Sequence, residues 1–248
     1  MYRVLSSIIL FISFLIFFSC GQKKDAERSA SGMDEKQIAG YRERIRVLKA
    51  RARRIKDIND IKRLQRIFGY YFDRGLWDEI RDLFSEDATL EYARDGVYKG
   101  KDKIGEYFYA LGGSKSGLRE GQLNEHFQLM PVITLSDDGL TAKGRWRDLS
   151  LQGQYGRAAF WGEGPYENEY VKEDGVWKIS RLCWYQTILV PYEGGWAKNE
   201  DANQGKYVLG ILKLDIPYNR DFGSWPETFL PPFHFKNPVA VYSEEDNR

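Results

Sequence analysis

A chain of 248 residues with a formal net charge of +1 gives no electrostatic case for a nucleic-acid partner or a strongly acidic substrate. Aromatic residues make up 15% of it, a load suited to an aromatic core or a deep apolar pocket. The two histidines, His126 and His234, stand in no metal-ligand pattern, so no metal and no cofactor is expected.

The chain opens with Arg3 and an uninterrupted run of apolar residues and serine over 4–18, closed by Ser19-Cys20-Gly21. The run is short for a membrane span and has the order of a secretory signal peptide over residues 1–20. Its end resembles a bacterial lipoprotein signal, which implies lipidation of Cys20 and a lipid anchor at the cell envelope, on the periplasmic or surface side. Phe17 departs from the leucine usual at that place. An ordinary signal peptide or an N-terminal anchor helix fits the same run. Residues 21–33 read as a flexible tether. With Cys20 lipidated, Cys183 is left as a single core thiol within the apolar run 179–190.

Residues 34–56 form a predicted basic amphipathic helix. Ile45, Leu48, Ala52 and Ile55 recur at three- and four-residue spacing, continued by Ile58, Ile61, Leu64 and Phe68. Its basic face suits solvent, a coiled-coil arm or anionic lipid, and Glu35, Glu43, Asp57 and Asp60 dilute it toward the first. Asp57 or Asn59 is expected to cap a second helical segment reaching Arg74, which Gly75 ends. A short helix over 76–84, a strand over 88–92 and a helix over 100–111 follow. Four longer strands are predicted over 123–135, 140–152, 157–172 and 176–190. Asp137-Asp138-Gly139 and Glu173-Asp174-Gly175 supply two of the hairpin turns. Residues 193–248, rich in proline and aromatics, predict a segment that wraps a domain or covers a pocket.

This order gives an α+β domain over 57–192, and particular segments sharpen it. YYFDRGLWDEIRDLFSEDATLEY, YKGKDKIGEYF, HFQLMPVITLSDDGLTAKGRW and EYVKEDGVWKISRLCWY resemble the SnoaL-like branch of the nuclear transport factor 2-like superfamily. The resemblance implies a cone-shaped, curved antiparallel sheet wrapped around N-terminal helices. The extra N-terminal helix and irregular C-terminal tail would be additions to it. Within that branch the pattern is similar to scytalone dehydratase and related polyketide or steroid dehydratases. The match implies pocket roles for Asp73, ahead of Trp77, for Tyr92 behind Glu91, and for His126 ahead of Phe127. The second pocket histidine of that family would fall near Ser150 or Gln152 and is missing. The tyrosine before its aspartate is Phe72 here, with Tyr70 and Tyr71 within a turn.

The chemistry that follows is acid–base. Asp73 and Tyr70, three apart, share a helix face. Asp73 is expected to hold one imidazole nitrogen of His126 and leave the other as general base. Tyr92, with Tyr70 or Tyr71, would donate to a substrate carbonyl. Asp73 also has a plain alternative, an ion pair with Arg74 or Arg147. Alternation puts Asn124, His126, Gln128 and Met130 on one strand face and Leu123, Phe127, Leu129 and Ile133 on the other, and either face suits the interior. On the next strand Arg145 and Arg147 share a face opposite Trp146 and Asp148. Either pair can line a ligand pocket, and cross-strand ion pairing is the competing role for the arginines. Phe233, His234 and Phe235 are expected to close the cone's mouth. Together these readings predict a lyase or isomerase acting on a hydrophobic, ring-containing small molecule. The alternative is a non-catalytic module that binds such a molecule or forms a homodimer at the envelope.

Overall fold

The computed structural model describes residues 34–195, 197, 207–208, 210–220, 223, 225 and 227–239. The predicted signal, Cys20 and the tether lie outside the described residues. The chain divides into two compact units, Met1–Arg53 and Arg54–Arg248, taken here one at a time.

In the first unit the described residues are helical. They open helix α1 (Glu35–Arg74), whose first turn is closed by a capping box. The Gln37 backbone N–H donates to Asp34 Oδ1 at 2.7 Å, and the Asp34 N–H donates to Gln37 Oε1 at 3.2 Å. Tyr41, Ile45 and Leu48 are exposed, and Glu43 pairs with Arg46 one turn on. No helix among the described residues is long and apolar enough to cross a membrane.

The second unit takes up α1 and continues with α2 (Trp77–Asp82), β1 (Phe84–Tyr92), β2 (Val97–Lys99), α3 (Lys101–Leu111), β3 (Gln122–Leu135), β4 (Thr141–Gln154), β5 (Ala158–Glu173), β6 (Val176–Trp184) and β7 (Ile188–Pro191). The expected break at Asp57 or Asn59 is absent. Asp57 turns inward, where its carboxylate accepts from Lys172 Nζ at 2.6 Å and from the Trp177 indole N–H at 3.0 Å. Gly75, at φ +65°, does end α1.

The strands form one seven-stranded sheet in the order β2-β1-β6-β5-β4-β3, with β7 beside β5. The pairings are antiparallel except β1 with β6, which is parallel, so the sheet is mixed where an antiparallel one is expected. The predicted strand over 176–190 is broken after Trp184, and its far end leaves β6 to pair with β5 as β7. The part of helix α1 that belongs to this unit lies on the inner face. Phe68, fully buried, meets the rings of Phe72, Phe84, Phe108 and Tyr166 at 5.8–6.5 Å. Cutting such a ring to alanine costs about 3–5 kcal/mol.

Two local features set the sheet against the helix. At Met130 (φ +51°) a bulge shifts the β3–β4 register, exposing Met130 and turning Ile133 and Leu135 inward. Both side chains therefore leave the faces that simple alternation assigns them. Gly69, inside α1, allows close approach to edge strand β3. A Cβ there would stand 2.8 Å from Gln128 Cγ and 3.2 Å from the His126 carbonyl oxygen.

Candidate active site

The close approach at Gly69 brings the end of α1 against the edge of β3. There the His126 backbone N–H, which has no sheet partner on that side, donates to Asp73 Oδ1 at 2.6 Å. Asn124 Nδ2 caps the Phe72 carbonyl at 2.9 Å. Burial raises the Asp73 carboxyl above the ordinary aspartate value, and the N–H of His126 offsets only part of that. The sequence led us to expect Asp73 to orient the imidazole; instead it accepts from the backbone N–H and seals a strand edge. The ring belongs to a different carboxylate.

On β3 the histidine face points inward, and His126 is buried with its ring edge-on to Phe72 at 4.2 Å. Its Nδ1 lies 3.1 and 3.3 Å from the two oxygens of Asp148, which has no exposed surface. Nε2, at the other end of the ring, has Gln152 Nε2 3.5 Å away, and Gln152 in turn donates to Ser150 Oγ at 3.2 Å. An ionised carboxylate only accepts, so Asp148 fixes the proton on Nδ1 and leaves Nε2 as a bare base.

His126 lines a cavity of about 130 Å³ together with Phe72, Trp77, Tyr92, Asn124, Tyr207 and Gln152, the residue beside its Nε2. Tyr92 stacks on Trp184 at 4.5 Å. Burial pushes its hydroxyl well above the ordinary phenol value, so it stays a hydrogen-bond donor. Tyr166, fully buried on β5, is pushed up in the same way, by burial and then by the nearby Asp148 charge. The C-terminal segment reaches the cavity wall at Tyr207, and not through the part that was expected to cover it. The backbone N–H groups of Tyr207 and Val208 donate to the two oxygens of buried Asp95 at 2.6 and 3.0 Å, and the Tyr207 ring meets Tyr92 and Trp184.

The remaining sequence candidates sit elsewhere. Tyr70 is 72% exposed and lines a separate groove of about 250 Å³ with Arg66, Asp73 and Glu125, on the outer side of the α1–β3 seam. Tyr71 is half-buried against the core, outside the cavity. Trp146 faces inward but is core, donating its indole N–H to the Tyr170 hydroxyl at 2.9 Å. Arg145 and Arg147 face the opposite side of the sheet, where they pair with Glu167 and Glu163 across β5. Phe233 and His234 dock there too. Phe233 lies under the Arg145 guanidinium at 4.3 Å, His234 Nδ1 is 3.0 Å from Glu167, and Phe235 packs on both rings. They form no lid over the cavity.

Sequence reasoning missed Asp148 as the partner of the ring, Gln152 as the neighbour of Nε2, and Tyr207 altogether. The signal for Asp148 was present: it shares a face with Trp146, and in register Gln128 lies opposite Asp148 while His126 lies opposite Ser150. Once the histidine face is inward, Asp148 becomes its diagonal neighbour.

The family model for the SnoaL-like domain matches residues 53–183, more than half of the chain. A search of curated proteins finds no match. Among solved structures, the chain is similar to a protein assigned as a scytalone dehydratase from Novosphingobium aromaticivorans. Identity is 22% over 56% of this chain and 89% of that one, with a TM-score of 0.49. It is also similar to a type 2 hexachlorocyclohexane dehydrochlorinase at 19% identity, over 56% of this chain and 90% of that one, with a TM-score of 0.48. A protein of unknown function from Mycobacterium tuberculosis matches at 18% identity, over 54% and 74% respectively, with a TM-score of 0.47. These likenesses are ones of fold.

Proposed function

This chain belongs to the SnoaL-like domain family, and from that premise we propose that it is a cofactor-independent lyase or isomerase acting on a small, hydrophobic, ring-containing molecule. The observation that carries the reading is the buried imidazole of His126, held at Nδ1 by Asp148 and lining the inner cavity. In this mechanism Nε2 takes a proton from carbon next to a carbonyl. The electron pair left behind moves onto the carbonyl oxygen, where the Tyr92 hydroxyl donates to it. The imidazolium then returns the proton. Returned to another carbon it gives an isomer, and returned to a departing β-hydroxyl it gives water and an alkene. Asp148 stays ionised throughout and stabilises the imidazolium.

The test is solvent deuterium exchange into a panel of cyclic ketones and cyclic β-hydroxy ketones, read by mass spectrometry on the full-length protein. Exchange or elimination that is lost in His126→Gln supports the reading, and equal rates in the variant overturn it. A second reading, a binding or dimerisation module, draws on a different observation. Leu123, Phe127 and Leu129 on the outward face of β3 are 41–47% exposed. In that case His126→Gln leaves ligand affinity or oligomeric state unchanged. We also propose the lipid anchor at Cys20, which metabolic labelling with a palmitate analogue and loss of label in Cys20→Ala would test.

A further inference from the structure

A chain of side-chain amides, buried Asn168 and Gln65 and then half-buried Gln128, runs from the far side of the core to Asp148, and its direction is forced from both ends. At the far end the Cys183 backbone N–H, which can only donate, gives its proton to Asn168 Oδ1 at 3.1 Å. Asn168 must then offer its other side, and its Nδ2 donates to Gln65 Oε1 at 3.0 Å. The Trp146 indole N–H is also donor-only. It donates to the Tyr170 hydroxyl, whose own proton goes to the same Gln65 oxygen at 2.8 Å. With its oxygen occupied twice, Gln65 donates through Nε2 to Gln128 Oε1 at 2.7 Å. Gln128 is thereby left with Nε2 toward Asp148 Oδ1, at 3.3 Å. Asp148 accepts at the end of the line.

We propose that Gln65 and Gln128 are positioning residues that deliver a directed hydrogen bond to Asp148, holding it in the orientation that keeps the His126 proton on Nδ1. The inference rests on His126 acting through Nε2 and goes beyond it by naming the residues that keep Nε2 bare. Among the described residues no lysine or arginine contacts Asp148. The charged or ionisable groups around His126 are Asp73, Arg66 and Arg74 on α1, Tyr92 on β1, Glu125 on β3, Asp148 on β4, Tyr166 on β5 and Tyr207 on the C-terminal segment. Gln128 is the neutral amide that touches Asp148, and such a donor solvates a buried carboxylate without cancelling its charge.

The direction of the line makes a specific prediction for Asp148→Asn. Gln128 will claim the new side-chain oxygen, so the new NH₂ group faces His126 Nδ1 and drives the proton to Nε2. Nitrogen NMR of the ring in the full-length protein reads this directly, since protonated and bare ring nitrogens resonate far apart. We expect one tautomer, Nε2–H, in Asp148→Asn. We expect both tautomers in the double variant Asp148→Asn/Gln128→Leu, where nothing orients the asparagine. A proton remaining on Nδ1 in Asp148→Asn, or a double variant identical to the single one, overturns the proposal. A measurement without substitution stands beside it should the variants misfold. In the unaltered protein the side-chain amide protons of Gln65 and Asn168 should exchange with solvent at least ~10-fold slower than those of exposed Gln37. Equal rates overturn the line. Both readouts are taken on the resting protein, so absence of turnover in the ketone panel removes the proposed reaction without touching them.

Discussion

Adjacent residues on β4 treat charge in opposite ways on the two faces of the sheet. On the outer face Arg145 and Arg147 each meet a glutamate across β5, and Arg145 also donates to the Pro231 carbonyl and covers Phe233. On the inner face Asp148 meets no lysine or arginine among the described residues and is held by His126 and an amide. A neutralised pair is electrically quiet and serves to fasten the C-terminal segment. A carboxylate solvated by neutral donors keeps its pull on the neighbouring imidazole, and that pull can be used in a reaction. The difference separates a structural cluster from a reactive one more sharply than burial does, because Arg145 and Asp148 are both buried.

Substitutions on the two faces should therefore separate activity from stability. The largest effect is expected at Asp148→Asn, with a loss of ~10²–10⁴-fold in turnover of any substrate the ketone panel yields. Asp73→Asn, which keeps an oxygen for the His126 N–H, should stay within roughly tenfold of wild type. A comparable loss in both would erase the distinction between ring partner and strand-edge cap. On the outer face, Arg145→Leu leaves Glu167 short of its buried partner and should cost about 3 kcal/mol in denaturant unfolding, with turnover per folded molecule unchanged.

Asp57 offers an intermediate case, since one carboxylate takes a cation and a neutral indole together. Burial raises it, but the hydrogen bonds from Lys172 and Trp177 outweigh burial, and its folded value lies below the ordinary 3.8. The stability it contributes is thus present above pH 3.8 and is lost as pH falls through the folded value. Asp57→Ala should cost about 2 kcal/mol at neutral pH, with a gap to wild type that narrows in acid. A gap that widens in acid would reverse the sign of the shift. The smallest effect belongs to Arg147→Ala. Its side chain is 48% exposed, and the change should fall under ~0.5 kcal/mol.

The fold was largely legible. Helix-period apolar residues, Asp-Gly turns and Gly75 located most elements, because each is a local signal with a local cause. What escaped was long-range. The parallel β1–β6 pairing and the exchange of β6 for β7 beside β5 depend on which strands meet, and no pattern within one strand reports that. The bulge at Met130 changed the alternation partway along β3. At the site, the family pattern put His126 on the page and drew attention to Asp73. The carboxylate that holds the ring comes from the next strand, and only register places it there. The Asp95 clamp on Tyr207 joins residues 112 apart in sequence, with no motif to announce it.

The chemistry of the site turns on where His126 carries its proton. Nitrogen NMR of the imidazole in the unaltered, ligand-free protein at neutral pH should show Nδ1 protonated and Nε2 bare, as a base beside the cavity requires. A proton found on Nε2 would mean that Asp148 does not hold the ring, and the acid–base reading of this site would fall with it.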